Sequence, residues 1–357
     1  MSSRCAGWIS IAGFSLACSL AQPAGPVGED RRMTLDVVVT NRAGKPVSGL
    51  QQRDFTLLDN QRPRSILSFQ AVEGGTATPD PPVELILIVD AVNTPFMSVA
   101  DARNGIEKFL RRNGGALARP VSLVYLTDSG VTETPFSRDG NALIADLKRE
   151  QTGLRATRRS QGEYGGYQRL QLSLKTLSQL AGHVAATPGR KLVVWVSLGW
   201  PYFNRPGVDS SLSPQGKQGI FNRIVNTSDA LWRARITLSA ADPSGPMDTS
   251  LVGTTDSMQY MQFSDGVRSA GQAQYGNLAL QVLAYRSGGL VLQSGNDVAG
   301  EIAECQADAS AYYILSFDRA AGDGPDEYHA LDIKLGKPGL AARTRSGYYA
   351  QPGPEGR

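Results

Sequence analysis

Histidine and cysteine are nearly missing from this chain of 357 residues, which has two of the first and three of the second. His183 and His329 stand far apart, and no cysteine or histidine pair has zinc-ligand spacing, so a zinc site is excluded. An excess of one charge is missing too. The formal net charge of +3 gives no basic face for nucleic acid. No apolar run is long enough to span a bilayer; residues 9–20 come nearest and are too short. There is no Gly-x-Ser-x-Gly elbow, no glycine-rich phosphate loop behind a strand and no pair of histidines at helical spacing. These absences favour a protein that is not an enzyme. A hydrolase built from Ser197, Asp90 and a distant base is the weakest of the readings.

What is present is enough apolar material for a packed core, with 41% hydrophobic and 19% charged residues. The first 21 residues read as an export signal. Arg4 supplies the positive charge, residues 9–20 the apolar stretch, and Ser19-Leu20-Ala21 the small residues for cleavage. Lipidation at Cys18 is the rival reading, set back because Ser15 stands where a large aliphatic residue is usual. Export places the protein in a secreted, periplasmic or envelope setting with no transmembrane span after cleavage. Cys305 then remains alone, on a helical face with Val298, Ile302 and Ala309, where a thiol packs rather than reacts.

One stretch organises the rest. Val83 to Val89 is an apolar, β-branched run, as a strand covered on both faces reads. It ends at Asp90. Thr94-Pro95 offers a helix cap and a first-turn proline, and Val99, Ala102, Ile106, Phe109 and Leu110 follow at helical spacing. Strand and helix then alternate, predicting an α/β fold with a mostly parallel central sheet and helices on both faces. The expected division is a signal peptide at 1–21, a leader at 22–32, an amino-terminal β segment at 33–72 and a linker at 73–82. An α/β domain at 83–318, a carboxy-terminal β segment at 319–350 and a tail at 351–357 complete it. Residues 312–317 are read as the last central strand. Residues 328–335 and 340–349 are read as a hairpin that packs with the amino-terminal strands in a small β-sandwich, because neither end has enough strands alone.

Leu85 to Thr94, the helix after Gly165-Gly166, and Leu192 to Gly199 together resemble a von Willebrand factor type A domain. The flanks narrow this. Val37 to Leu50, Arg53 to Asn60 and Ile66 to Phe69, with Tyr312-Tyr-Ile-Leu, Tyr328-His-Ala-Leu and Arg343 to Tyr349, resemble the VWFA-related proteins of the Acidobacteria type. The resemblance implies a vWA or Rossmann-like domain and a secreted or envelope protein that binds another protein.

Such domains often hold Mg²⁺ in a metal-ion-dependent adhesion site made from Asp-x-Ser-x-Ser, a threonine and an aspartate. Six oxygens in octahedral geometry are needed. Here Asp90 and Thr94 match, and Asn93 adds a carbonyl oxygen from an unproven direction. Val92 replaces a hydroxyl, Tyr167 or Gln168 the threonine, and Leu198 the acid. The expectation is a degenerate site (Asp90, Asn93, Thr94), with no cofactor or Mg²⁺ held only weakly; Asp128 and Asp242 are loosely held as further ligands. The leading functional reading is a non-catalytic protein-binding module using loops at the strand tips, with Asp90, Trp200, Tyr202 and Phe203 as contact candidates. Trp200 and Phe203 have closure of the core as their alternative. A structural envelope scaffold is the second reading.

Overall fold

A computed structural model describes residues 31–73, 82–150, 162–200, 212–244, 260–292 and 297–352. The expected export signal, with Cys5 and Cys18, and the contact candidates Tyr202 and Phe203 lie outside the described residues.

Four strands come first: β1 (Arg32–Thr40), β2 (Phe55–Asp59), β3 (Arg62–Arg64) and β4 (Ser68–Glu73). The central body follows with β5 (Glu84–Asp90), α1 (Phe96–Leu110), β6 (Ala116–Thr127), β7 (Gly130–Glu133), β8 (Ser137–Asp139) and α2 (Gly140–Arg149). It continues with α3 (Gly162–Val184), β9 (Lys191–Val196), α4 (Pro214–Arg233), β10 (Ile236–Ala241), α5 (Leu280–Arg286), β11 (Val291–Leu292) and α6 (Val298–Ala307). The chain closes with β12 (Ala311–Asp318), β13 (Glu327–Leu335), β14 (Ala341–Arg343) and β15 (Gly347–Ala350).

The central sheet has the order β11-β10-β9-β5-β6-β7, with β8 also paired to β6. Every pairing from β11 to β6 is parallel, while β7 and β8 run antiparallel. Successive side chains of a strand point to opposite faces, and both faces of this sheet are covered. Leu85, Leu87 and Val89 share a core with α1, α2 and α6. Ile86 and Ile88 share another with α3, α4 and α5. Each such fully buried side chain contributes about 1.5–3 kcal/mol, so β5 is the apolar axis of the domain. From β5 the chain steps to β6 and β7, then returns to β9 on the other side of β5. The β5–β9 boundary is thus a topological switch point, the place where an open α/β sheet forms a crevice at its strand carboxyl ends.

The two ends of the chain pair with each other. One antiparallel sheet has the order β14-β1-β12-β4 and the other β15-β13-β2-β3. They share a core that includes Leu35, Val37, Leu57, Tyr313, Leu315 and Ile333. Two sequence assignments are corrected here. The run 312–317 is not a central strand: β12 pairs with β1 and β4. It reads like a central strand because it is covered on both faces, Tyr313, Leu315 and Phe317 by the sandwich core and Tyr312 by the α/β body. Nor is 328–335 with 340–349 a simple hairpin: β15 pairs with β13, but β14 crosses to β1 in the facing sheet.

Candidate functional site at the strand crown

The tip of β5 carries a buried polar cluster. Asp90 is the last residue of that strand and is 1% exposed. Its Oδ1 accepts from the backbone N–H groups of Val92 at 3.0 Å and Asn93 at 2.8 Å. Its Oδ2 accepts from Asn93 Nδ2 at 2.8 Å and from the indole Nε1–H of Trp195 at 2.9 Å. Burial pushes the carboxyl up from its ordinary value, against the opposing pull of Asn93, Trp195 and Ser197. Asn93 also donates to Ser173 Oγ on α3 at 2.8 Å, and that hydroxyl donates to the Arg169 carbonyl. The cluster therefore joins the β5 tip, α3 and β9.

Thr94 is buried, and its hydroxyl donates to Ser197 Oγ at 3.3 Å. It is not the helix cap expected from sequence. Helix α1 begins at Phe96 with Pro95 in the cap position, and no side chain caps it. Pro95 itself is extended, with φ −58° and ψ 150°, so the first helical residue is Phe96.

This residue set does not fit a divalent ion. A carboxylate has about four lone-pair sites, and four N–H donors already converge on Asp90. Val92 points an isopropyl group into the core instead of a hydroxyl toward the crevice. Gly165 and Gly166 lie inside α3, so Tyr167 is a helical residue rather than a loop ligand. Asp242 takes both donors of Ser244, and Asp128 is exposed in the turn between β6 and β7.

Trp200 is corrected as a contact candidate. It is 3% exposed and packs edge-on against Trp195, with ring centroids 4.9 Å apart. Two indoles gain more from mutual burial than one does from standing in water. The residues that do stand out at the crown are Phe96 and Met97, 63% and 71% exposed, directly after the exposed Pro95. From sequence, Phe96 only closes the tip loop 90–96 expected at the binding surface, and Met97 falls just beyond it at the start of an amphipathic helix. The available signal was Met97, which falls off the spacing set by Val99, Ala102 and Ile106.

The other chemistry-bearing residues sit elsewhere. Cys305 is buried in the core, where burial pushes its thiol up to about 12. His183 is exposed on α3, and His329 lies in the sandwich with Nδ1 2.7 Å from Asp59. Among the described residues no helix is long and apolar enough to cross a membrane.

No family model and no curated protein matches the chain. Among solved structures it is similar to the pilus adhesin SpaC from Lactobacillus rhamnosus GG, at 11% identity and a TM-score of 0.35. The match covers 85% of this chain and 49% of that one, so the chain spans about half the adhesin's length. A score of that size carries no argument about fold or function.

Proposed function

We propose that the chain is a non-catalytic recognition protein of the VWFA-related type, working outside the cytoplasm and binding a protein partner through the crown around β5 without a metal ion. The observation that carries this is the side-by-side exposure of Phe96 and Met97 at the switch point. Aromatic residues and methionine are enriched at protein interfaces, and anchors of this kind supply most of the binding energy. The order of the central sheet, with one antiparallel edge, supports the vWA-like reading, as does an aspartate closing its first strand. The absence of a metal is supported by the saturated Asp90 carboxylate, whose negative charge is met by fixed N–H donors instead of a cation. Residues 1–21 support export.

Capture from envelope extract, with the mature chain and its Phe96→Ser/Met97→Ser variant as baits, tests the reading. A partner held by the first and lost by the second is expected. The second reading, a structural envelope component, is favoured by the sandwich that both chain ends build. Capture that is indifferent to the two substitutions would favour it instead.

A further inference from the structure

A cavity of 730 Å³ opens between residues 262–277, Tyr285 of α5, and the sandwich residues Tyr328, Ala330 and Ser346. Its outer wall is irregular chain, built of the 3₁₀ turns Tyr260–Phe263, Ala270–Gln272 and Tyr275–Leu278. That wall is nevertheless pinned. Val267 and Ala273 are buried in the core. Asn277 accepts from the Gln274 backbone at 2.9 Å and donates to the Phe263 carbonyl at 3.2 Å. Ser264 Oγ donates to the Met261 carbonyl at 2.6 Å, and the Arg268 N–H donates to Gln272 Oε1 at 3.0 Å. Gly266 lies so close to Tyr328 that a Cβ there would be 1.8 Å from the ring. The wall is thus pre-shaped, which removes much of the ordering cost of binding.

On this fixed wall three polar heads have no role in holding it. The side chains of Gln262, Asp265 and Arg268 are exposed and make no hydrogen bond or ion pair among the described residues. Beside them stands the ring of Tyr285, 43% exposed. An amide, a carboxylate and a guanidinium present donors and acceptors together, and the one anion offsets the one cation. That balance suits neighbouring hydroxyl groups and does not suit a phosphate. An exposed ring offers a flat apolar face, which matches the C–H face of a sugar. The volume is in the range of about 300–1,000 Å³ found for small-molecule sites, and the polar lining rules against a wholly apolar guest.

We propose that this cavity binds an uncharged oligosaccharide, with Tyr285 stacking on a sugar ring while Gln262, Asp265 and Arg268 hydrogen-bond to its hydroxyls. The site goes beyond the crown reading and stands without it. Isothermal titration with chitotriose, cellotriose, maltotriose and inorganic phosphate tests it. At least one of the three sugars should bind with a Kd on the order of 1 mM or tighter. Tyr285→Ala and Asp265→Asn should each weaken that binding by about tenfold or more. Both positions are exposed, so both variants should fold, as their far-ultraviolet dichroism will show. Phe96→Ser should leave sugar binding unchanged, which separates this site from the crown. Binding of none of the sugars, binding that both cavity variants leave intact, or saturable binding of phosphate instead would overturn the proposal.

Discussion

Asp90 shows how fixed N–H groups can hold a buried carboxylate at a strand tip. Removing it from water disfavours its charge, and the N–H groups of Val92, Asn93 and Trp195 partly restore what hydration gave. Burial is the larger effect and raises its pKa. The native protein therefore takes this proton more readily than the unfolded chain does. Stability falls with rising pH wherever the native state binds more protons. Urea unfolding of the natural chain and of Asp90→Asn, from about pH 4, near the free carboxyl value, to about pH 7, checks the sign. The stability of the natural chain relative to the variant should fall over that window. A relative rise would mean that the donors outweigh burial. At the same scale, Phe96 and Met97 are the most exposed large apolar side chains among the described residues, although buried apolar positions lie one turn away in the same helix.

Among the elements, β5 was legible because a strand covered on both faces is largely apolar. The same rule misplaced β12, which is covered on both faces by different partners. The short strands β7 and β8 went unread, since Gly130–Glu133 and Ser137–Asp139 are polar edge segments with no apolar pattern. The β segment expected at 33–72 resolves into four strands, β1 to β4, the last of them reaching Glu73. At the crown, sequence showed Asp90 as a strand end but not its partners. Ser173 lies 80 residues away from Asn93, and Trp195 lies 105 residues away from Asp90. The edge strand β11 rests on a close approach that can be tested. A Cβ at Gly289 would sit 1.7 Å from the Leu238 carbonyl oxygen of β10. Backbone cannot yield there as a side chain would, so Gly289→Ala should cost about 1–3 kcal/mol. A urea midpoint shift worth less than about 0.5 kcal/mol would show that β11 is not held in this register.

For the whole molecule, the consequence of the topology is a division of labour. The sandwich ties the first two described strands to β12 and β13, with Arg32 opposite Asp318 and Leu57 opposite Ile333. The two cores on either face of the central sheet hold the crown loops from below. On the proposed reading, a crown that presents Phe96 and Met97 beside a saturated carboxylate docks by shape and apolar contact, with no ion as a bridge. Site-specific photo-crosslinking tests that claim most directly. A benzophenone side chain placed at position 97 of the mature chain, or at the exposed position 183 of α3 as a control, is irradiated in envelope extract with Mg²⁺ or with EDTA. The account predicts a discrete adduct from position 97, equal in both conditions, and none of that size from position 183. An adduct that forms only with Mg²⁺, or equally from both positions, would contradict it.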